Sequence, residues 1–179
     1  PEPRISVKYK INDASSIKAS YNRMRQYLHL ATNTSGGTPI DIWVASSPNI
    51  KPQLADQVAM GYFKNFKKNM FETSVEVYYK KMYNQLDWKD HANLIFNRKL
   101  DGEIRVGGGH SYGLELYIHK QKGNLTGWIS YTLSRTIKLT PAINNGNPYL
   151  ANHDRRHNIA IVASYDFSDR LNLSANWVY

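Results

Sequence analysis

Alternation of apolar and polar residues is the dominant pattern of this sequence. Leu125, Ile129 and Leu133 share one parity, and hydroxylated residues occupy most of the other. Successive side chains of a β-strand point to opposite faces, so this segment has one apolar face and one polar face. Helical spacing does not recur along the chain, whereas alternation does. The alternating segments predict eight strands, at Ile5–Asn12, Ile17–Thr32, Gln53–Phe66, Phe71–Trp88, Ile104–Lys120, Leu125–Leu139, His157–Phe167 and Leu171–Tyr179.

The connections between these segments alternate in length. Three are long, at Asn33–Pro52, Lys89–Glu103 and Thr140–Arg156. In an up-and-down meander, alternate connections lie at opposite ends of the sheet, so all short turns share one end. This asymmetry is typical of outer-membrane barrels. It predicts an all-β, antiparallel up-and-down meander of about eight strands, a segment of a transmembrane β-barrel. The short turns are rich in Asn, Asp, Gly and Ser, as tight turns require, and lie at Asn12–Ser16, Lys67–Met70, Gln121–Asn124 and Ser168–Arg170.

Three features refine the predicted strands. The apolar parity of Ile17–Thr32 changes after Tyr21, which indicates either a bulge or a strand that continues beyond the membrane. Glycines 107 to 109 lie within a strand and predict a bend, a bulge or a close approach. Aromatic residues near strand ends fit the interfacial girdles of a barrel, although ordinary sheet packing is the alternative. The girdle candidates are Tyr9, Tyr78, Tyr79, Trp128, Tyr165 and Trp177.

Composition excludes several classes of function. The chain has no cysteine, so disulfides, thiolate metal sites and cysteine nucleophiles are absent. Its net charge of +9 is spread along the chain and its densest groups lie in turns and loops, so we expect no nucleic-acid partner. No apolar run reaches the roughly 18 residues of a membrane-spanning helix.

The sequence carries no recognisable active site. His153 and His157 have a spacing that brings two rings together on a helix, but here a strand is about to begin. The carboxylates show no arrangement that singles out a general acid and base. We therefore expect no catalytic residues, no cofactor and no metal ion, and a protein that is not an enzyme.

The long loops are the predicted binding surface. Aromatic and amide side chains at one rim suit sugar rings, peptides or chelates. The alternative is that the loops pack on each other and cover the mouth of the barrel. The candidate ligand-binding residues are Trp43, Trp88, Asn93, Asn144 and Tyr149.

Several segments, in a fixed order over essentially the whole chain, have a familiar composition. They are Glu2–Arg4, Pro48–Gln53 with Gln57 and Gly61–Tyr62 following, Ser74–Met82, Tyr112–Glu115, Leu125–Ser134 and Asp154–Asn158. Their combination resembles the β-barrel of TonB-dependent outer-membrane receptors, most closely the Bacteroidetes-type members.

This resemblance implies a protein of the bacterial outer membrane that imports a scarce nutrient: a siderophore, corrinoid, glycan or peptide. It implies a 22-stranded barrel closed by an N-terminal plug and energised through TonB. Residues 1–179 are then a single unit, the C-terminal part of the barrel without the plug. The implied partners are the outer-membrane bilayer, the remaining strands and plug, TonB through the missing N-terminal part, and the nutrient.

Two other functions stay open at this point. A small eight-stranded membrane barrel with an adhesive or structural role has the same alternation. A soluble β-barrel or sandwich that binds a small ligand has it too, with the apolar parity buried.

The three functions differ in what the two faces contact. In the receptor, Ile129 and Leu133 face lipid while Ser130 and Thr132 face the lumen. Detergent dependence separates the soluble barrel from the two membrane proteins.

Overall fold

The computed structural model describes residues 1–33, 40–48, 50–89 and 100–179. Almost all of this part of the chain is β-strand, with two short 3₁₀ helices at Leu100–Glu103 and Asn144–Gly146. The strands are β1 Arg4–Asn12, β2 Ser15–Gln26, β3 Leu28–Asn33, β4 Ile40–Ala45, β5 Gln53–Phe66, β6 Phe71–Trp88, β7 Ile104–Lys120, β8 Leu125–Leu139, β9 Tyr149–Leu150, β10 His157–Ser168 and β11 Leu171–Val178.

The main sheet is an antiparallel meander. Its order is β1-β2-β5-β6-β7-β8-β10-β11, and β9 adds a short pairing to β8. Among the described residues, no strand pairs with the outer edge of β1 or of β11. The predicted all-β up-and-down meander, with eight long strands joined by alternating short and long connections, is therefore confirmed.

The prediction of one strand over Ile17–Thr32 is wrong. The strand β2 ends at Gln26, and β3 pairs with β4 in a separate two-stranded sheet within the long connection. No bulge explains the change of parity after Tyr21, because β2 pairs with β5 without a register shift from Ser15 to Gln26. The apolar face simply ends there. Arg23 follows Tyr21 on the same face and forms an ion pair with Asp56 of β5, at 2.7 Å.

The glycine-rich part of β7 confirms the predicted close approach. Its neighbour β6 carries a bulge between Tyr83 and Gln85, and Asn84 within it has a positive φ of 54°. A Cβ atom on Gly107 would lie 2.5 Å from the backbone oxygen of Leu139. Glycine is required here because β8 and the start of the following loop lie against the strand.

Buried apolar side chains lie at the long-loop end rather than on the sheet. The few in the described residues are Ile50, Leu86, Trp88, Ile104, Ile143 and Ala151. They belong to loops and to the strand ends that adjoin them, so the loops pack on one another. The sheet itself keeps its apolar side chains exposed, unlike the sheet of a soluble domain that covers one face with a core.

Candidate functional site

One face of the main sheet is apolar on every strand. Directly paired residues of an antiparallel sheet point to the same side, so the register defines rows that cross all eight strands. The clearest row of this apolar face contains Tyr9, Ile17, Tyr62, Val75, Leu116, Tyr131, Ile159 and Tyr179. Its members are exposed or half-exposed, and none is buried, with Tyr9 69% and Val75 46% exposed. An apolar surface this wide needs a partner that is itself apolar.

The opposite face is polar in the adjacent row. That row contains Lys8, Lys18, Gly61, Glu76, Glu115, Thr132 and Asn158. Larger side chains of this polar face lie over glycines: the Tyr78 ring would be 2.7 Å from a Cβ on Gly113. The two faces therefore differ in the way that the lipid side and the lumen side of a barrel wall differ.

The apolar face has aromatic residues near its limits. Tyr9, Tyr79, Tyr165 and Trp177 lie on it, as the girdle prediction requires. The prediction is wrong for Tyr78 and Trp128, which have the other parity and lie on the polar face. Trp128 lies beside the ring of Tyr117, with the centres 6.2 Å apart.

A polar cluster fixes the loop end of the sheet. Asp87, near the end of β6, accepts hydrogen bonds at Oδ2 from Tyr149 Oη at 2.9 Å and Lys138 Nζ at 3.1 Å. The Tyr149 hydroxyl also lies 2.8 Å from Oγ1 of Thr140, which is fully buried. These four residues form the Asp87 cluster. It ties the loop after β8 to the end of β6, across the glycine-rich part of β7.

The structure brings only some of the predicted ligand-binding residues together. Tyr149 belongs to the Asp87 cluster, and Trp88 follows Asp87 directly but is only 7% exposed. Asn144 is exposed in the same loop as Tyr149, where its amide donates to the carbonyls of Asn147 and Pro148. Trp43 lies on β4 and is 62% exposed. Asn93 lies outside the described residues. Ligand binding by these residues stays a prediction.

Sequence reasoning missed Asp87, Lys138 and Thr140. Asp87 and Lys138 are 51 positions apart, and no local pattern connects them. A weak signal did exist, because Asp87 is a lone acid between the apolar Leu86 and Trp88. A carboxylate between two buried apolar residues needs a hydrogen-bond or ion-pair partner when the loops cover this part of the strand.

His29 is a buried titratable group in the β3–β4 hairpin. Its ring has no exposed surface, and Nε2 lies 3.0 Å from Oγ of Ser46. Nδ1 has no hydrogen-bond partner among the described residues. Burial lowers the pKa of His29 below its usual value, because the charged ring loses its hydration.

We expect the β3–β4 hairpin to loosen at acid pH. The neutral imidazole is favoured in the folded hairpin, so its contribution to stability is complete above the unfolded pKa of about 6.5 and is lost as the pH falls below it. Hydrogen exchange of the hairpin amides, corrected for intrinsic rates, should become several-fold faster between pH 7.5 and pH 5.5. His29→Gln removes the titration, so equal pH dependence in that variant would contradict the assignment.

Two side chains near His153 have protein partners. Oδ1 of Asp154 accepts a hydrogen bond from the Thr136 amide at 2.6 Å, and Nδ1 of His157 lies 2.8 Å from the Tyr131 hydroxyl. The described residues contain no cluster of three or more potential metal-ligating His, Cys, Asp or Glu side chains. They also contain no helix with the length and apolar character needed to cross a membrane.

The chain is similar to one known protein family over nearly its whole length. The sequence model of a family described as TonB dependent receptor-like, beta-barrel, matches residues 2–179. The match extends over all eight long strands and the loops between them. No curated protein matches the chain.

Proposed function

The chain belongs to the TonB-dependent receptor-like β-barrel family, and on this premise we propose that it forms part of the wall of a receptor that imports a scarce nutrient across the bacterial outer membrane. In this proposal residues 1–179 are one unit of the barrel. The plug and the remaining strands complete the receptor, and TonB supplies the energy through the plug-bearing part. The chain binds and conducts its ligand and catalyses no reaction.

The observation that carries the proposal is the contrast between adjacent rows of the sheet. A row of eight apolar residues, all of them exposed or half-exposed, lies beside a row that contains four charged residues on the other face. A bilayer can cover the first face, while an aqueous lumen can solvate the second. The soluble alternative needs the apolar face buried, and no described element packs on it.

The loop end supports binding of the nutrient from outside. Trp43 and Asn144 have exposed side chains, so they are the predicted residues best placed to touch a ligand. Trp88 is buried and the Tyr149 hydroxyl is bonded to Asp87, so these two position the loops instead. Exposed aromatic and amide groups suit siderophores, corrinoids, glycans or peptides.

Growth on a defined panel tests this proposal. Cells producing the complete receptor, cells without it and cells without TonB would be given a ferric siderophore, a corrinoid, an oligosaccharide or a peptide as the sole source of the limiting nutrient. We expect loss of the receptor and loss of TonB to abolish growth on the same nutrient. Trp43→Ala should raise the concentration needed for half-maximal growth about tenfold, whereas Trp128→Ala, on the polar face, should preserve the nutrient preference. Unchanged growth on the whole panel without the receptor would favour an adhesive or structural barrel.

A further inference from the structure

Five lysines gather at the short-turn end of the sheet. The turn-end lysine cluster consists of Lys64, Lys67, Lys68, Lys120 and Lys122. They lie in or beside the turn between β5 and β6 and the turn between β7 and β8. None of the five forms an ion pair with a carboxylate of the described residues. The Glu72 carboxylate at the same end accepts a hydrogen bond from the Gln121 side chain at 3.0 Å instead, so within the described part of the chain the five ammonium groups have no carboxylate in ion-pair contact.

Part of this cluster lies on the apolar face. Lys64 pairs with Thr73 on the same parity as Val75, and Lys120 pairs with Phe71. The Lys64 ammonium lies 4.8 Å from the ring centre of Phe66, toward the turn. A lysine that keeps its stem on an apolar surface and carries its charge toward the edge fits a boundary between hydrocarbon and water.

Two aromatic rings occupy the same edge. Phe66 and Phe71 are direct partners across β5 and β6, on the apolar face. The ammonium of Lys67 lies 5.9 Å from the ring centre of Phe71. Aromatic rings beside lysine stems fit the girdle that flanks the apolar band of a barrel.

The two turns are held together by backbone acceptors. Lys122 Nζ donates to the carbonyl oxygen of Lys68 at 2.9 Å. The backbone N–H of Gln121 donates to the carbonyl oxygen of Met70, also at 2.9 Å. Lys120 Nζ donates to the Leu125 carbonyl at 2.6 Å. Cations from both turns therefore share one surface, although like charges repel each other.

The turn between β5 and β6 is also unfavourable in its backbone. Lys67, Lys68 and Asn69 all have positive φ, at 49°, 55° and 62°. The left-handed region costs free energy for a residue with a Cβ, and tight turns use glycine, asparagine or aspartate there. Lys67 and Lys68 therefore make this turn less stable than glycine or asparagine would. Backbone strain of this kind often occurs at functional sites, which suggests that the two cations have a role.

We propose that the turn-end lysine cluster binds the headgroup phosphates of anionic phospholipids in the leaflet at the short-turn end. The phosphate provides the missing counterion, and the acyl chains continue along the apolar face beside Phe66 and Phe71. An acidic protein surface could also supply negative charge to the lysines. It would not cover the apolar face that adjoins the cluster, whereas the acyl chains of a lipid would. The proposal rests on the bilayer contact of the proposed function and is independent of import.

Lipid binding to the complete receptor chain tests this proposal. The receptor in a non-ionic detergent would be titrated with phosphatidylglycerol and with phosphatidylcholine, and bound lipids counted by native mass spectrometry. The double substitution Lys67→Asn with Lys68→Gly removes two cations and gives the turn residues that tolerate positive φ. We expect it to weaken phosphatidylglycerol binding about 30-fold, as loss of two lysines near a membrane surface implies. Phosphatidylcholine binding should stay unchanged, and the melting temperature should not fall.

A matched variant separates the cluster from general charge. Lys8→Gln with Lys18→Gln also removes two lysines, but from the polar face, where they are direct cross-strand partners. It should retain phosphatidylglycerol affinity within about twofold, because no lipid reaches that face. Equal losses in the two double variants, or no loss in the turn variant, would overturn the proposal. If the unaltered receptor retained neither lipid, its bilayer placement would be wrong as well.

Discussion

Replacing Ile129 by arginine is expected to lower the free energy of unfolding by about 2 kcal/mol, the lower end of the cost of a cation at the bilayer midplane, because the residue lies on the lipid face between its middle and the short-turn end. Ile129 lies between Ile118 and Ile161 in one row and is 47% exposed. In a bilayer its side chain has only hydrocarbon around it. Urea unfolding of the complete receptor in phospholipid vesicles, followed by tryptophan fluorescence, measures the change.

Thr132→Arg is the matched control for this substitution. Thr132 lies on the same strand but on the polar face, directly opposite Glu115. An arginine there gains a carboxylate partner and stays in an aqueous lumen, so stability should change by less than about 1 kcal/mol. If Ile129→Arg were as mild as Thr132→Arg, the apolar face would not contact lipid. A soluble protein with another arrangement would then have to explain the exposed row.

Removing the carboxylate of Asp87 is expected to cost about 2–3 kcal/mol, somewhat less than the loss of one partner of a fully buried ion pair. Lys138 and Asp87 are only 17% and 22% exposed in their side chains. In Asp87→Ala, the Lys138 ammonium and the Tyr149 hydroxyl lose a shared acceptor. We expect the loop after β8 to come away from β6. Ligand affinity should fall at least tenfold through the displaced loop.

Two variants show whether the effect belongs to this cluster. Asp87→Asn keeps an acceptor for Tyr149 while removing the charge, so its loss of stability should be smaller. Asp13→Ala removes the acid of the fully exposed Lys10–Asp13 pair, 2.7 Å apart, and should have no measurable effect. Hydrogen exchange localises the change. Faster exchange of the Ala151 amide, which donates to the Thr136 carbonyl at 3.1 Å, is the expected sign of a released loop. Unaltered exchange there would contradict a positioning role for Asp87.

The alternation of residues predicts the strands and their faces because this information is local. A side chain's parity within a strand decides its face, so Ser130 and Ile129 are assigned correctly from the sequence alone. How far each face extends along its strand depends on residues that are distant in the sequence. The apolar face stops beyond Tyr21 because Arg23 meets Asp56, 33 positions away, and the sequence of β2 alone does not reveal that partner.

The arrangement of the residues at the long-loop end was not predicted from the sequence. The β3–β4 hairpin interrupts a segment that reads as one strand, and its pairing depends on residues after Pro39 rather than on local alternation. Tyr149 is 62 positions from Asp87, and its hydroxyl was equally suited to a ligand. Only three-dimensional placement shows that this group already has protein partners.

With the barrel in the outer membrane as proposed, the length of β6 determines how far the loop end stands from the bilayer. The strand has 18 residues, and Trp88 at its end lies nine positions after Tyr79, which is near the limit of the apolar face. At roughly 3.3 Å per residue and a tilt of about 45°, those nine steps raise the end of the strand by about 20 Å. The loops then stand in the external medium, above the level of the lipid headgroups. An antibody, which is too large to enter the bilayer, should therefore reach the exposed Asn144 and its neighbours on intact cells.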